Sequence, residues 1–300
     1  MRTKKIQTKG DVVFNIINVT LLAVFAFVCI YPLWYILILS FNSGTDTMRG
    51  GIYFWPREFS LANYIICFKD KNILNAYLIT ILRTVIGTVT SVFVTGMVAY
   101  GLSERKLPGR RIIMVYMMIP MLFSAGMIPT YLNLKSLGLI NKFAVYILPG
   151  MFSIYNCIVM RTSFEGIPQE LKESMRLDGA NELQILLRLV IPASKPTIAA
   201  ISLFTAVGHW NEWFSGAYYV SNSKLVPLQT YLQSVMNRSL TNFETGMISL
   251  GGTDIANLAQ ANSLSIKLAV VVITTLPILV VYPFLQKYFI KGVLIGSVKG

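Results

Sequence analysis

Long apolar runs separated by short polar gaps set the pattern of this chain of 300 residues. Six of them, at 12–39, 74–102, 112–131, 143–159, 196–220 and 266–289, approach or exceed the roughly 20 residues that a helix needs to cross a hydrocarbon layer. They predict an all-α polytopic membrane protein with six transmembrane helices: a polar tail at 1–11, then one transmembrane domain over 12–300. The first run is too long for the core of a cleavable signal, and no small-residue cleavage site precedes the next polar segment. Pro120 and Pro129 interrupt the third run, Pro149-Gly150 the fourth, and Pro277 and Pro283 the sixth. Such breakers survive in a membrane where neighbouring protein satisfies the freed backbone groups.

One polar interval departs from this pattern. Between Glu165 and Pro196 hydrophobicity is no longer continuous but helical in period, which predicts two short helices lying outside the bilayer. Pro168 opens the first, Glu170 follows in its first turn, where the helix dipole favours an acid, and Gly179 ends it. Leu171 and Met175 share one face at i, i+4. Asn181 with Gln184 forms the start of the second helix, whose apolar stripe is expected at Leu183, Leu186, Leu187 and Val190. Pro192 is expected to stop it. Elsewhere, residues 40–73 read as a first external loop, and a polar stretch of about 45 residues separates the last two runs.

Composition agrees with the membrane assignment. Hydrophobic residues make up 54% and charged residues 13%, about half the share usual for a soluble domain. The net charge of +13 would fit a nucleic-acid partner in a soluble protein, but the cations lie in the gaps between apolar runs and report topology instead. Six spans put both termini on one side. That side, with the 103–111 loop and the 161–195 interval, carries sixteen of the 26 Lys and Arg residues; the other carries nine, and Arg83 lies inside a span. Both termini and the 165–196 interval are therefore expected in the cytoplasm. Cys29, Cys67 and Cys157 form no disulfide framework or metal-ligand pattern and read as packing residues.

Glu173-Ser174-Met175, then Asp178-Gly179-Ala180, then Ile191-Pro192 resembles the EAA loop of ABC-importer permeases, with Ser174 and Met175 departing from its usual alanines. Gly292 with Gly296-Ser297-Val298-Lys299-Gly300 is similar to the tail of carbohydrate-type, MalG-like permeases. His209-Trp210-Asn211-Glu212-Trp213 resembles their Trp-Asn-Asp/Glu element, and Pro56 to Tyr64 their first external loop. The run from Val220 to Leu232 looks most like the LplC- and YtcP-like branch, associated with complex oligosaccharides. The resemblance implies a non-catalytic subunit in a bacterial plasma membrane that forms half of a carbohydrate pathway. It implies that Glu173, Ser174, Met175, Asp178, Gly179, Ala180 and Pro192 meet the ATPase. The implied partners are a second homologous permease, two copies of an MsmX- or MalK-like ATPase that uses ATP and Mg, and an extracellular solute-binding lipoprotein. The chain itself has no Walker A run and is expected to bind no cofactor.

His209 and Glu212 lie 13 and 16 residues beyond Pro196, about 20 and 24 Å along the fifth helix and past the midplane. A carboxylate there needs a cavity or a partner. Two readings stand side by side: with Trp210 and Trp213 it faces a sugar, or with Asn211 it holds a neighbouring helix. Arg83 is expected to snorkel to the headgroups, and Met114, Met117, Met118 and Met121 to pack. A proton-coupled secondary transporter, with Glu212 and His209 as relay, is the alternative, but six spans without an evident inverted repeat make a poor complete carrier. A membrane-embedded enzyme would need an acid or histidine cluster, and the chain has one histidine.

Overall fold

The computed structural model describes residues 9–123, 125–237 and 263–296, the last with side chains from 264 to 281. Contacts gather the chain into two compact units, divided after Asp70, before Arg238 and after Thr274. The predicted tail lies mostly outside the described residues, as does the 297–300 end of the C-terminal motif.

The first unit begins with α1 (Lys9–Ser40), apolar all round and unburied until its last residues, Ile38, Leu39 and Ser40. A helix of this kind presents every face to lipid or to another chain. The stretch expected as a loop is folded: α2 (Gly44–Arg49) and α3 (Ala62–Lys69) are tied to the end of α1 by buried polar side chains. Asn42 donates to Asp46 Oδ2 at 3.1 Å and to Thr47 Oγ1 at 3.0 Å, and accepts from the Glu58 amide. Asn63 donates to the carbonyls of Ser40 and Asn42, both at 3.0 Å. These buried amide hydrogen bonds, with a small apolar cluster of Ile38, Leu39 and Ile52, hold the segment in one geometry.

In the second unit α4 (Lys71–Ser103) packs along α7 (Ile154–Glu165) and α11 (Lys195–Asn211). Its buried face runs Ala76, Thr80, Arg83, Gly87, Ser91, Thr95, Ala99 and Leu102, at i+3 and i+4 spacing. Small and polar residues face protein while Leu74, Leu78, Val85 and Val89 stay exposed. That is the membrane arrangement, in which small side chains let backbones approach and lipid solvates the large ones. One core joins Ala99 and Leu102 of α4 to Cys157, Met160, Phe164, Ile185, Leu186 and Val190.

Three spans differ from expectation. The third is a bent pair, α5 (Arg110–Leu122) and α6 (Met127–Ser136), at 116°. The break falls between Leu122 and Met127, next to Gly126, whose φ of 84° an L side chain adopts only under strain, and not at either proline. Pro120 and Pro129 sit inside helices, Pro129 in a first turn where its missing N–H costs nothing. Over 143–159 there is no continuous helix: a 3₁₀ turn (Phe143–Tyr146) leads through Pro149-Gly150 to α7, which runs on past Val159. The fifth breaks after Asn211 and resumes as α12 (Phe214–Tyr218). Helix α13 (Leu228–Asn237) follows, and α14 (Ser263–Gly296) contains the sixth predicted span. By length and composition α1, α4 and Leu264–Val281 suffice to cross a membrane singly, and α5 with α6 does so jointly.

Candidate functional site

The 165–196 interval folds into α8 (Gln169–Leu177), α9 (Glu182–Ile185), a π-turn (Leu186–Val190) and the single turn α10 (Ile191–Ala193). Pro168 occupies the cap of α8, and Gly179 closes it with φ +81°. The Gly179 amide donates to the Arg176 carbonyl at 3.0 Å and the Ala180 amide to the Met175 carbonyl at 2.9 Å, a Schellman closure that only glycine enters without strain. Asn181 and Gln184 form the reciprocal capping box, at 2.8 and 2.9 Å.

The stripe of the second helix is corrected. Ile185, Leu186 and Val190 are buried, while Leu183 and Leu187 are 48% and 45% exposed. The π-turn carries an extra residue and rotates the face that a 3.6-residue period would bury. It also admits Pro192, which does not stop the helix but lies within α10; the chain turns by 90° only after it, before α11. A widened turn relieves the clash between a proline ring and the carbonyl four residues back.

Glu173, Ser174, Asp178 and Gly179 are exposed, and Glu173 lines a polar cleft of about 360 Å³ with Glu104, Arg105, Lys106, Gln169 and Arg176. Met175 and Ala180 instead pack partly buried against the chain's own core, so α8 does not present Leu171 and Met175 as one outward pair. Sequence reasoning missed what holds α8. Arg176 donates to Glu182 from Nε at 2.9 Å and from Nη2 at 3.3 Å, and lies 3.6 Å from Glu104. Tyr100 of α4 donates to Glu182 Oε2. Lys172 is buried with its ammonium 5.6 Å from the Tyr100 ring centroid and without a hydrogen-bond partner. Burial lowers the pKa of Lys172, while attraction from Glu104 opposes that shift.

The second constellation is intramembrane. Arg83 does not snorkel: its side chain is 1% exposed and donates to Glu212 Oε2 at 3.0 Å, with Tyr146 5.2 Å away under the guanidinium. Its Nη2 also meets the carbonyls of His209 and Glu212, the unpaired end of α11. Glu212 Oε1 accepts from the Ser215 amide at 2.7 Å, at the start of α12. One ion pair therefore closes both sides of the break and ties Glu212 to the neighbouring α4. Opposite charges in two apolar runs were the available signal.

The other members of the run disperse. His209 is wedged against α4, where a Cβ on Gly87 would stand 2.5 Å from its Nε2, and Gly150 flanks it. Asn211 accepts from Gln229 at 3.3 Å. Trp213 contacts the Phe214 and Tyr218 rings, and its carbonyl accepts from Thr230 at 2.7 Å. Trp210 borders a cavity of about 570 Å³ with Thr84, Thr88, Leu203 and Pro277, too aliphatic to hold a sugar by itself. Met114 and Met117 pack against the core, whereas Met118 and Met121 are exposed. Cys67 and Cys157 are buried, whereas Cys29, on α1, is exposed among the described residues.

Apolar helices around small and polar inner faces, with a rigid helix pair at one end, define a polytopic membrane permease. The chain belongs to the family of binding-protein-dependent transport system inner membrane components, whose model matches residues 105–295. It is 39% identical over 294 residues to protein LplC of Bacillus subtilis (strain 168), covering 98% of this chain and 97% of that one. It is 38% identical over 287 residues to YtcP of the same organism, a polygalacturonan/rhamnogalacturonan transport system permease protein, covering 96% and 98%. A crystal structure of a bacterial ABC transporter involved in the import of the acidic polysaccharide alginate matches with a TM-score of 0.86 and 33% identity, over 95% of this chain and 100% of that one. The protein is thus the permease subunit of an ABC importer, an inner-membrane component that works with another permease, an ATPase and a substrate-binding protein.

Proposed function

We propose that the chain forms half of a six-span-per-subunit pathway for an oligosaccharide, uronic-acid oligosaccharides being the first to test, delivered by an extracellular binding lipoprotein. Its termini and α8 face the cytoplasm, where two copies of an MsmX- or MalK-like ATPase supply the ATP and Mg chemistry; the second permease is homologous, not identical. The observation that carries the reading is α8 itself: a short helix, closed by Gly179 and stapled from behind, exposes Glu173, Ser174 and Asp178 as one rigid face. The names of YtcP and of the alginate transporter support the substrate class. The proton-coupled alternative loses its relay, because both oxygens of Glu212 are engaged, by Arg83 and by Ser215. Deleting the partner ATPase should abolish uptake of labelled oligogalacturonides by cells carrying the importer. Uptake that persists and collapses with the proton gradient would overturn the assignment.

The turn at Gly179 gives a sharper test. Gly179→Val places a β-branched residue at φ +81°, where even an ordinary side chain costs about 1–2 kcal/mol. No span changes, so membrane yield should hold, while uptake falls at least about tenfold and ATP hydrolysis loses its response to loaded binding protein. Parental uptake from a well-inserted variant would show that this turn transmits nothing.

A further inference from the structure

Helix α4 is fixed at two heights by polar clamps. Near its end, Tyr100 donates to Glu182 and lies beneath the buried Lys172 ammonium, and Glu104, just beyond the helix, is 3.6 Å from Arg176 of α8. Seventeen residues earlier, about 26 Å along the axis, Arg83 closes the break between α11 and α12. Between the clamps α4 contains no proline, and its inner face is packed: Gly87 against His209, Gly96 against Met160, Ala99 fully buried. A continuous helix so held neither shortens nor bends easily, so displacement at one clamp reaches the other.

We propose that α4 is the transmission rod of this subunit: Tyr100, Lys172, Arg176 and Glu182 couple α8 to it, and Arg83 delivers its movement to the break at Asn211–Trp213. This rests on the reading of α8 as the ATPase-facing helix. Tyr100 and Arg83 act as positioning residues, because neither needs to touch ATP or sugar. Tyr100 is a better handle than Arg176, since the hydroxyl can be removed while the ring beneath Lys172 remains. Arg83→Lys keeps the charge but loses the planar fork that reaches two carbonyls and a carboxylate together.

The test uses the assembled importer and needs no sugar. In a Cys29→Ser background a cysteine is placed at the exposed Ser221, beyond the break, and its labelling by a membrane-impermeant maleimide is timed with no nucleotide and with ATP plus vanadate. In the parent, trapping should change the labelling rate by about fivefold or more, the lower range of a typical coupling. Tyr100→Phe and Arg83→Lys should each reduce that change to under about twofold while the complex traps the parental amount of nucleotide, and the double variant should lose no more than the stronger single one. A parental response in Tyr100→Phe, or losses that multiply in the double variant, would overturn the rod. Loss of nucleotide trapping in Tyr100→Phe would also overturn it, because the cluster would then only seat the ATPase. A parent complex that traps no nucleotide at all would instead sink the ATPase-facing reading of α8.

Discussion

Removing the carboxylate from Glu212 should destabilise the subunit before it changes what the subunit transports. Glu212→Ala leaves Arg83 1% exposed, with no counter-charge and two carbonyls as its remaining partners, and leaves the Ser215 amide without its acceptor. Breaking a buried pair costs about 3–5 kcal/mol. Because Glu212 is 35% exposed and water screens it in part, the lower end, about 3 kcal/mol, is the expected size. At about 2–4 °C per kcal/mol for a unit of this size, the melting temperature of the purified complex should fall by roughly 6–12 °C. Glu212→Gln, which keeps the shape and one acceptor oxygen but turns an NH2 toward Arg83 or the Ser215 amide, should fall less than the alanine variant. Loss of uptake with unchanged melting and complex recovery would instead make Glu212 a group that meets the sugar. No change in any of the three would remove it from both roles.

Adding one methyl group should do comparable damage at Gly87. A Cβ there stands 2.5 Å from Nε2 and 2.6 Å from Cε1 of His209, closer than any packed carbon, and the imidazole has Gly150 beside it. Gly87→Ala must displace the ring or separate α4 from α11, a repacking that costs about 1–3 kcal/mol. Complex yield and melting temperature should drop, and His209→Ala in the same chain should restore them by vacating the space. A Gly87→Ala subunit that assembles and melts like the parent would mean that α11 does not approach α4 this closely. Rescue by His209→Ala is the distinguishing result, since a fault in helix propensity or insertion would not respond to a change on another helix.

The 165–196 interval was the most legible part of the sequence because its signals are local. Pro168, Gly179, and Asn181 with Gln184 each act within one turn, and each stands where the spacing put it. Phase was lost one turn later. A π-turn leaves no compositional mark, so of the expected stripe Leu186 and Val190 are buried, while Leu183 and Leu187 are exposed and Ile185 is buried in addition. The breakers misled similarly. Pro120, Pro129 and Pro192 were read as interruptions, but Pro129 in a first turn and Pro192 beside a widened one are compatible with helix, Pro120 lies within the last turn of α5, and the break of the third span falls between Leu122 and Met127.

From the chain alone came the class, the apolar helices and the charged helix pair, because transfer of long apolar runs into lipid and capping of helix ends depend on neighbours in sequence. What each helix face meets could not be read that way. In α4 the small and polar positions mark one stripe, but which helices meet it is decided only by packing, with α7 and α11 against Ala76, Thr80, Arg83, Gly87, Ser91 and Ala99. The same holds for charge. Arg83 and Glu212 are 129 residues apart in sequence, and neither has a local partner that could neutralise it. Tertiary structure brought them to 3.0 Å, and with that contact a residue expected at the headgroups became the support of a broken helix.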